Sequence, residues 1–282
     1  MALHEFQTAQ GVITYARRGL GDPLVLIHGV YPGASHHEFD RNIAALQQQF
    51  QVFALDLLGF GQSDTPRIPH STSTHHHLIR DFIQEVIGTR VHIIASGYGC
   101  GIAARLGVFD DGLLQRMALI APVVKEVYHD PPGVGDKLAR FMMGVLVGKS
   151  FYTVHASKPG LYEFLKEHYH APKAITRELI DQMFVEANEP NKMLPYISSL
   201  CGYFDTDLGN WLPSVRRPTL LVLGEDETPP PKTWLREAAW TLGRETAVIP
   251  AAKDFPHQEQ SAAVNKVLME FLQAGEASLA GA

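Results

Sequence analysis

Short apolar runs, each bounded by turn residues, recur along the chain and constrain its fold most strongly. They occupy Leu24–Ile27, Val52–Leu55, Val91–Ile94, Met117–Ile120, Thr219–Leu223 and Ala247–Ile249. Stretches with helical periodicity, such as Leu78–Ile87 and Ile102–Leu106, alternate with these runs. Short apolar strands that alternate with helices are typical of a parallel sheet covered on both faces. We therefore predict an α/β fold with a mostly parallel, doubly wound sheet.

The alternation stops between residues 123 and 213, where apolar helical segments follow one another without a strand pattern. These segments are Leu138–Val147, Gly160–Tyr169, Ile175–Ala187 and Met193–Leu200. The pattern predicts a helical lid at 123–213, inserted into a core formed by 1–122 and 214–274, with a flexible tail at 275–282. We expect Phe141 and Tyr152 to line an apolar pocket under the lid. Helical spacing would equally place both in the lid's own core.

The composition is that of a globular protein and argues against some kinds of binding partner. Of the 282 residues, 45% are hydrophobic and 19% are charged, which is ordinary for a globular protein. A net charge of -6 without a Lys/Arg block argues against nucleic-acid binding. The chain has no run of eighteen apolar residues, no secretory signal pattern and two cysteines without a CxxC pair, so we predict a cytoplasmic protein and no membrane partner. The expected partner is an apolar small molecule, and a homodimer is left open.

A strand, a sharp turn of small residues and a helix are predicted between Val91 and Ala104. The turn reads Ala95-Ser96-Gly97-Tyr98-Gly99. In a nucleophile elbow of the form G-x-S-x-G, the central serine is exposed on such a turn and attacks the substrate. The central residue here is Gly97, so the turn has the shape of an elbow without the attacking atom.

Four further motifs accompany this turn in a fixed order along the chain. They are the strand that ends in His28-Gly29, the D-x-x-G-x-G-x-S turn Asp56–Ser63, the segment Gly224–Glu227 and the segment Ala252–Glu259. Together with the elbow, they resemble the α/β-hydrolase superfamily over almost the whole chain outside the lid. The resemblance implies an α/β-hydrolase fold.

The resemblance also implies which residues stand at the catalytic positions. Gly97 stands at the nucleophile, Glu227 is the best match to the acid, and Asp254 stands where the family carries its histidine. Acyl transfer needs an attacking atom and an imidazole that takes its proton. Losing either one costs about a million-fold in a well-studied serine protease. Ester hydrolysis by the usual route is therefore not expected, whereas the backbone N–H groups of Val30 and Tyr98 are expected to form an oxyanion hole.

The two carboxylates at the acid and histidine positions suggest a different chemistry. If Asp254 and Glu227 approach each other, they resist being ionised together, and one holds a proton near neutral pH. That carboxyl group would act as a general acid or hydrogen-bond donor. Asp254 could equally cap backbone N–H groups of its loop.

Ser96 and His257 form the minimal alternative dyad. Ser96 lies one position before the elbow centre, and its side chain is expected to point away from the elbow because side chains alternate along a strand. His257 lies three residues beyond Asp254 and would have to swing inward as the base.

The 14 histidines include two clusters, His36-His37-Glu38 and His75–His77. Neither cluster has the spacing that presents several ligands to one ion, so we predict no metal site and no cofactor. His28 and His37 are the imidazoles expected to bond a substrate.

Three functions remain open at this point. The preferred one is a cofactor-free, non-hydrolytic enzyme that acts on an apolar carbonyl compound, as in natural-product biosynthesis. The reaction would be a cyclisation, an isomerisation or an elimination. Gly97 would then leave room for the substrate against the elbow. The alternatives are an esterase or thioesterase that uses Ser96, and a small-molecule binding protein without catalysis.

Overall fold

The computed structural model describes residues 3–123, 134–204, 208–226 and 244–274. Eight strands form one sheet in the order β1-β2-β4-β3-β5-β6-β7-β8. The strands are β1 Leu3–Thr8, β2 Gly11–Arg18, β3 Asp22–Ile27, β4 Phe50–Leu55, β5 Val91–Ser96, β6 Leu114–Ile120, β7 Thr219–Gly224 and β8 Glu245–Ile249. Strands β3 to β8 pair in parallel, while β1 pairs antiparallel with β2, and β2 antiparallel with β4.

Helices cover both faces of the sheet. Those that flank it are α1 Asp40–Leu46, α2 Thr72–Phe82, α3 Gly99–Phe109 and the C-terminal helix Ser261–Gln273. In β3, Val25 and Ile27 pack into the core on the side of α2 and α3, whereas Leu24 and Leu26 pack on the side of α1 and the C-terminal helix. The predicted doubly wound α/β sheet is thus confirmed.

All six predicted strands are present, but the sequence analysis missed the hairpin of β1 and β2. This hairpin lies at the edge of the sheet, and β1 buries only Phe6 fully. An edge strand with one buried side chain does not produce a continuous apolar run. A search for such runs therefore overlooks it.

The described residues between β6 and β7 contain helices and no strand. The helices are α4 Val134–His155, α5 Lys158–His168, α6 Arg177–Ala187, α7 Met193–Leu200 and α8 Leu208–Trp211. Ser157 and Thr176 cap α5 and α6 by accepting hydrogen bonds from backbone N–H groups of the first turn. We call residues 134–211 the helical insertion. Its division from the core at 123 and 213 stays a prediction, and the predicted tail at 275–282 lies outside the described residues.

Within the described ranges, no helix is long and apolar enough to cross a membrane.

Candidate active site

The elbow turn joins β5 to α3 at Gly97. This residue has a φ of +53°, in the left-handed region that favours glycine. Its N–H donates to the Ile120 carbonyl at 3.0 Å, and its own carbonyl accepts from the N–H of Cys100 at 3.2 Å. The fold therefore keeps the sharp strand-to-helix turn, and a glycine adopts it without the strain that a Cβ would add.

The space beside Gly97 is open. A Cβ added there would meet only one atom within 4 Å, the Cα of Gly29 at 3.7 Å, which is an ordinary contact. Gly99 differs, because a Cβ at that position would lie 2.7 Å from the carbonyl oxygen of His28. Gly99 thus allows α3 to approach the end of β3 closely, while Gly97 leaves room for a neighbouring molecule.

The same approach places the two expected oxyanion segments side by side. Val30 follows Gly29, and Tyr98 follows Gly97. Because a Cβ added at Gly97 would lie 3.7 Å from the Cα of Gly29, the two glycines are close neighbours, and the segments that follow them start from the same place. Tyr98 precedes the first turn of α3, where backbone N–H groups have no partner within the helix. Convergence of the Val30 and Tyr98 N–H groups on one ligand atom stays a prediction.

An aromatic cluster lies next to these segments. The ring of Tyr31 stacks on Phe164 of α5 with centroids 5.3 Å apart, and it meets Phe255 edge-on at 5.5 Å. Phe255 directly follows Asp254, so the cluster joins the oxyanion segment, the helical insertion and the loop after β8. Sequence analysis did not select Tyr31 or Phe255, although both lie next to residues that it did select.

The loop after β8 holds Asp254 half-buried beside the helical insertion. The N–H of Asp254 donates to the carbonyl of His168 at 3.0 Å. Glu227 lies outside the described residues, so the expected pairing of the two carboxylates stays a prediction. Asp226 precedes Glu227, and its Oδ2 lies 2.6 Å from Nδ1 of His170. The sequence analysis missed this His–Asp pair because His170 lies in the helical insertion, 56 positions from its partner in a different motif.

His257 bonds the carboxylate of Glu38, and Ser96 lies beside the same carboxylate. Nε2 of His257 lies 3.1 Å from Oε1 of Glu38, and Ser96 is near enough to lower the pKa of this carboxyl group. Ser96 is 2% exposed, and Glu38 and His257 have fully buried side chains. A buried hydroxyl is poorly placed to attack a substrate. This arrangement argues against the alternative role of Ser96 and His257 as nucleophile and base.

Glu38 is the centre of this polar cluster, which sequence analysis had considered only as part of a metal-binding pattern. Its Oε2 accepts from the N–H of Gly29 at 2.9 Å and from the Tyr31 hydroxyl at 2.8 Å. Burial by itself would raise the pKa of the Glu38 carboxyl, but the hydrogen bond and charge of His257, with smaller contributions from His28 and Ser96, lower it to about 2. Glu38 is therefore ionised at neutral pH.

His28 is engaged by the backbone on both sides of its ring. Nδ1 donates to the Gly29 carbonyl at 2.6 Å, and Nε2 accepts from the N–H of Leu57 at 3.0 Å. Burial lowers the pKa of His28, so the ring is neutral and has no second N–H to offer. This geometry argues against the expected role of His28 as a donor to substrate.

His37 lies where the core meets the helical insertion. Its Nδ1 is 2.8 Å from Asp40 Oδ2, and its Nε2 is 3.9 Å from Glu186 Oε1 on α6. The hydrogen bond that His37 donates to the Asp40 carboxylate raises the pKa of His37. The ring is about one-third exposed, so His37 remains a candidate contact for a ligand that enters between the core and α6.

Phe141 and Tyr152 pack inside the helical insertion. Phe141 is 6% exposed and joins a cluster with Leu194, Ile197 and Cys201. Tyr152 is 7% exposed and donates its hydroxyl to the Ala187 carbonyl at 2.7 Å. Both contacts argue for a structural role of these rings, because their surfaces are covered by the insertion itself.

The clustered histidines have separate partners. His36 Nδ1 lies 2.8 Å from Asp56, His75 bonds the carbonyls of Ser71 and Leu58, and His76 lies 2.6 Å from Asp110. Among the described residues, no group of three or more His, Cys, Asp or Glu side chains is placed to hold a metal ion.

The order of strands, the elbow and the loop after β8 agree with one family of proteins. A family model described as the alpha/beta hydrolase fold matches residues 22–260. The chain belongs to this family. Its match includes the elbow, the oxyanion segment and the loop that carries Asp254.

Individual relatives match shorter parts of the chain. An uncharacterised protein of Mycobacterium tuberculosis is 33% identical over 126 residues, which is 44% of this chain and 36% of that protein. The 2-hydroxy-6-oxo-6-(2'-aminophenyl)hexa-2,4-dienoic acid hydrolase of Metapseudomonas resinovorans is 31% identical over 133 residues, which is 45% of this chain and 46% of that enzyme. The matched segments thus span less than half of either relative.

Solved structures extend the likeness over nearly the whole chain. The enol-lactonase of Burkholderia xenovorans superposes with a TM-score of 0.77 at 18% identity, covering 96% of this chain and 100% of that one. This likeness shows the fold. The relatives named here that have an assigned activity are hydrolases.

Proposed function

We propose that this protein is an enzyme that binds a carbonyl group of a largely apolar small molecule at the elbow and transforms it without a covalent serine intermediate. The observation that carries the proposal is Gly97, which adopts the elbow conformation with open space where a nucleophile side chain would project. A reaction that needs positioning and polarisation, but no attacking side chain, suits such a site.

The reaction classes that fit are cyclisation, isomerisation and elimination. Each can proceed when a carbonyl is polarised by backbone N–H groups, here those of Val30 and Tyr98, and when a nearby group moves a proton. Asp254 is our candidate for that group, because it lies half-buried on the loop that carries the family's histidine. The aromatic rings of Tyr31, Phe164 and Phe255 would contact the apolar part of the substrate.

Hydrolysis without an acyl-enzyme is the second candidate, and the hydrolase relatives favour it. In this mechanism Asp254 would activate water for direct attack on the bound carbonyl carbon. An esterase that uses Ser96 has less support, since Ser96 is buried beside the carboxylate of Glu38. A binding protein without catalysis would bind the same ligands and leave them unchanged.

Turnover in ¹⁸O-labelled water distinguishes these functions. The purified protein is incubated in this water with conjugated ketones, conjugated oxo-acids and p-nitrophenyl esters. The masses of the products are measured by mass spectrometry. Our proposal predicts at least one product without ¹⁸O in a newly formed carboxyl group, and no adduct of the protein with a fluorophosphonate probe. Incorporation of ¹⁸O would show hydrolysis, and an adduct lost in Ser96→Ala would show the displaced serine. Binding without any product would support the binding protein.

A further inference from the structure

A buried carboxylate connects the three segments that build the candidate site. Glu38 bonds Gly29 and Tyr31 on the oxyanion segment and His257 on the loop after β8, and it lies beside Ser96 at the end of β5. These segments lie tens to hundreds of positions apart in the sequence. They belong to different strands and loops. They meet at a single side chain.

Local structure holds Glu38 in this place. It lies in a short 3-10 helix, His36–Phe39, whose first turn is capped by Ser35 Oγ at 3.3 Å from the N–H of His37. The N–H of His36 donates to Asp56 at 2.7 Å, which ties the start of this helix to the end of β4. The backbone carbonyl of Glu38 also accepts from Gln258 Nε2 at 3.1 Å. Hydrogen bonds to the start of the helix and to the carbonyl of Glu38 itself therefore hold the backbone that carries the carboxylate.

The contacts of Glu38 surround the expected oxyanion hole. Gly29 and Tyr31 are the residues on either side of Val30, and both donate to the same oxygen, Oε2. These bonds fix the N–H of Gly29 and the side chain of Tyr31, and so limit how far the chain around Val30 can move. On the other side of the expected hole, Ser96 lies beside the same carboxylate and is followed by Gly97 and Tyr98. The segments on both sides of the hole thus meet at one carboxylate.

We propose that Glu38 is a positioning residue that orients the Val30 and Tyr98 N–H groups and the Asp254 loop toward a bound carbonyl. This inference rests on the proposed function for its effect on turnover, but its structural part is independent of any substrate. Hydrogen bonds to a charged group are about twice as strong as hydrogen bonds between neutral groups. The carboxylate is therefore suited to hold three segments in one arrangement. A few tenths of an ångström of disorder at such a hole weakens every bond to the reacting oxygen.

Glu38→Gln and Glu38→Ala separate this role from a general contribution to folding. Glutamine keeps the size of the side chain and one carbonyl oxygen for Gly29 and Tyr31, and its NH₂ group can donate to His257 once that ring changes tautomer. Alanine removes every bond. Asp110→Asn is the control, because Asp110 is a partly buried carboxylate that bonds His76 Nε2 at 2.6 Å and lies in neither the oxyanion segment nor the elbow.

The first measurement is hydrogen exchange in peptides that cover 28–33 and 96–101. We expect exchange in both peptides to be at least about tenfold faster in Glu38→Ala, with partial recovery in Glu38→Gln. The 96–101 peptide is decisive, because it lies on the elbow and not on the segment of Gly29 and Tyr31, whose donors bond Glu38 directly. Unchanged exchange there in Glu38→Ala, or the same increase in Asp110→Asn, would overturn the inference.

The second measurement is steady-state kinetics with whichever conjugated ketone or oxo-acid the wild-type protein converts. We expect kcat to fall at least about tenfold in Glu38→Ala and less in Glu38→Gln, with KM changed by less than about threefold. A wild-type kcat in Glu38→Ala would overturn the inference while leaving the proposed function intact. If the wild-type protein converts none of the compounds, the proposed function fails, and the exchange measurement alone decides whether Glu38 orders the site.

Discussion

Adding a side chain at Gly97 tests the central observation most directly. Gly97→Ala and Gly97→Ser each place a Cβ at the elbow, and the serine also restores the family's usual hydroxyl. The Cβ has an ordinary contact of 3.7 Å with Gly29 Cα, so no atom of the protein must move. The cost to folding comes from the backbone alone.

That cost can be worked from the conformation. A residue with a Cβ in the left-handed region loses about 1–2 kcal/mol. Replacing glycine also reduces the freedom of the unfolded chain, which offsets about 0.4–1 kcal/mol. The net loss is about 1 kcal/mol, which lowers the Tm of a chain of this length by roughly 2 °C. Both variants are therefore expected to fold.

The effect on turnover should be much larger than the effect on stability. If a substrate lies against Gly97, the new side chain displaces its carbonyl by about 1 Å, and such a displacement can cost about a hundredfold in rate. The assay compares kcat/KM for the compound that the wild-type protein converts best. Gly88→Ala is the matched control, because Gly88 also has a positive φ, of +73°, and its Cβ would meet nothing within 4 Å.

Three results would refute the reasoning. Wild-type kcat/KM in Gly97→Ala and Gly97→Ser would show that no substrate atom occupies the space. A gain of esterase activity with a fluorophosphonate adduct in Gly97→Ser would show that the site still supports acyl transfer once a hydroxyl is present. An equal loss in Gly88→Ala would attribute the effect to backbone strain.

Three further outcomes follow from the same structure. Asp254→Asn should lower kcat by about a hundredfold if its carboxyl moves a proton, and a wild-type pH–rate profile in this variant would contradict that role. Tyr152→Phe should lower stability by about 1 kcal/mol, because the Ala187 carbonyl loses its donor, while kcat stays unchanged; a raised KM would instead place Tyr152 against the substrate. The free energy of unfolding, measured with urea, should fall between pH 4.5 and 2, because the pKa of Glu38 is lowered to about 2 in the folded protein and the stability it contributes above its unfolded pKa is lost as pH falls. Glu38→Gln should lack this part of the acid dependence.

The predicted fold agrees closely with the structure because its signal is local. Each of the strands β3 to β7 contains a short apolar run that is largely buried, and β8 was found from its run Ala247–Ile249 although it is mostly exposed. The elbow was equally legible, since Gly97 and Gly99 mark a sharp turn between a strand and a helix, and Gly99 has no room for a Cβ. The edge strand β1 was missed because three of its six residues are exposed, and β2 because Thr14 interrupts its apolar run.

The candidate site was only partly predictable. Motif positions selected Gly97, Val30, Tyr98 and Asp254, and the structure places the segments of Val30 and Tyr98 together. The contacts of His28, Phe141 and Tyr152 in the structure agree less well with the substrate contacts expected of them. An imidazole or aromatic ring can bond the backbone or pack inside the protein just as readily as it can face a ligand.

The sequence by itself determined the presence of strands β3 to β8 along the chain, the shape of the elbow and the missing side chain at Gly97, because each depends on residues close together along the chain. Only the tertiary structure decided that Ser96 and His257 meet at Glu38 and that both ring nitrogens of His28 bond the backbone. The choice of partner for a buried polar group depends on which distant segments the fold brings within about 3 Å, and no local pattern records that distance.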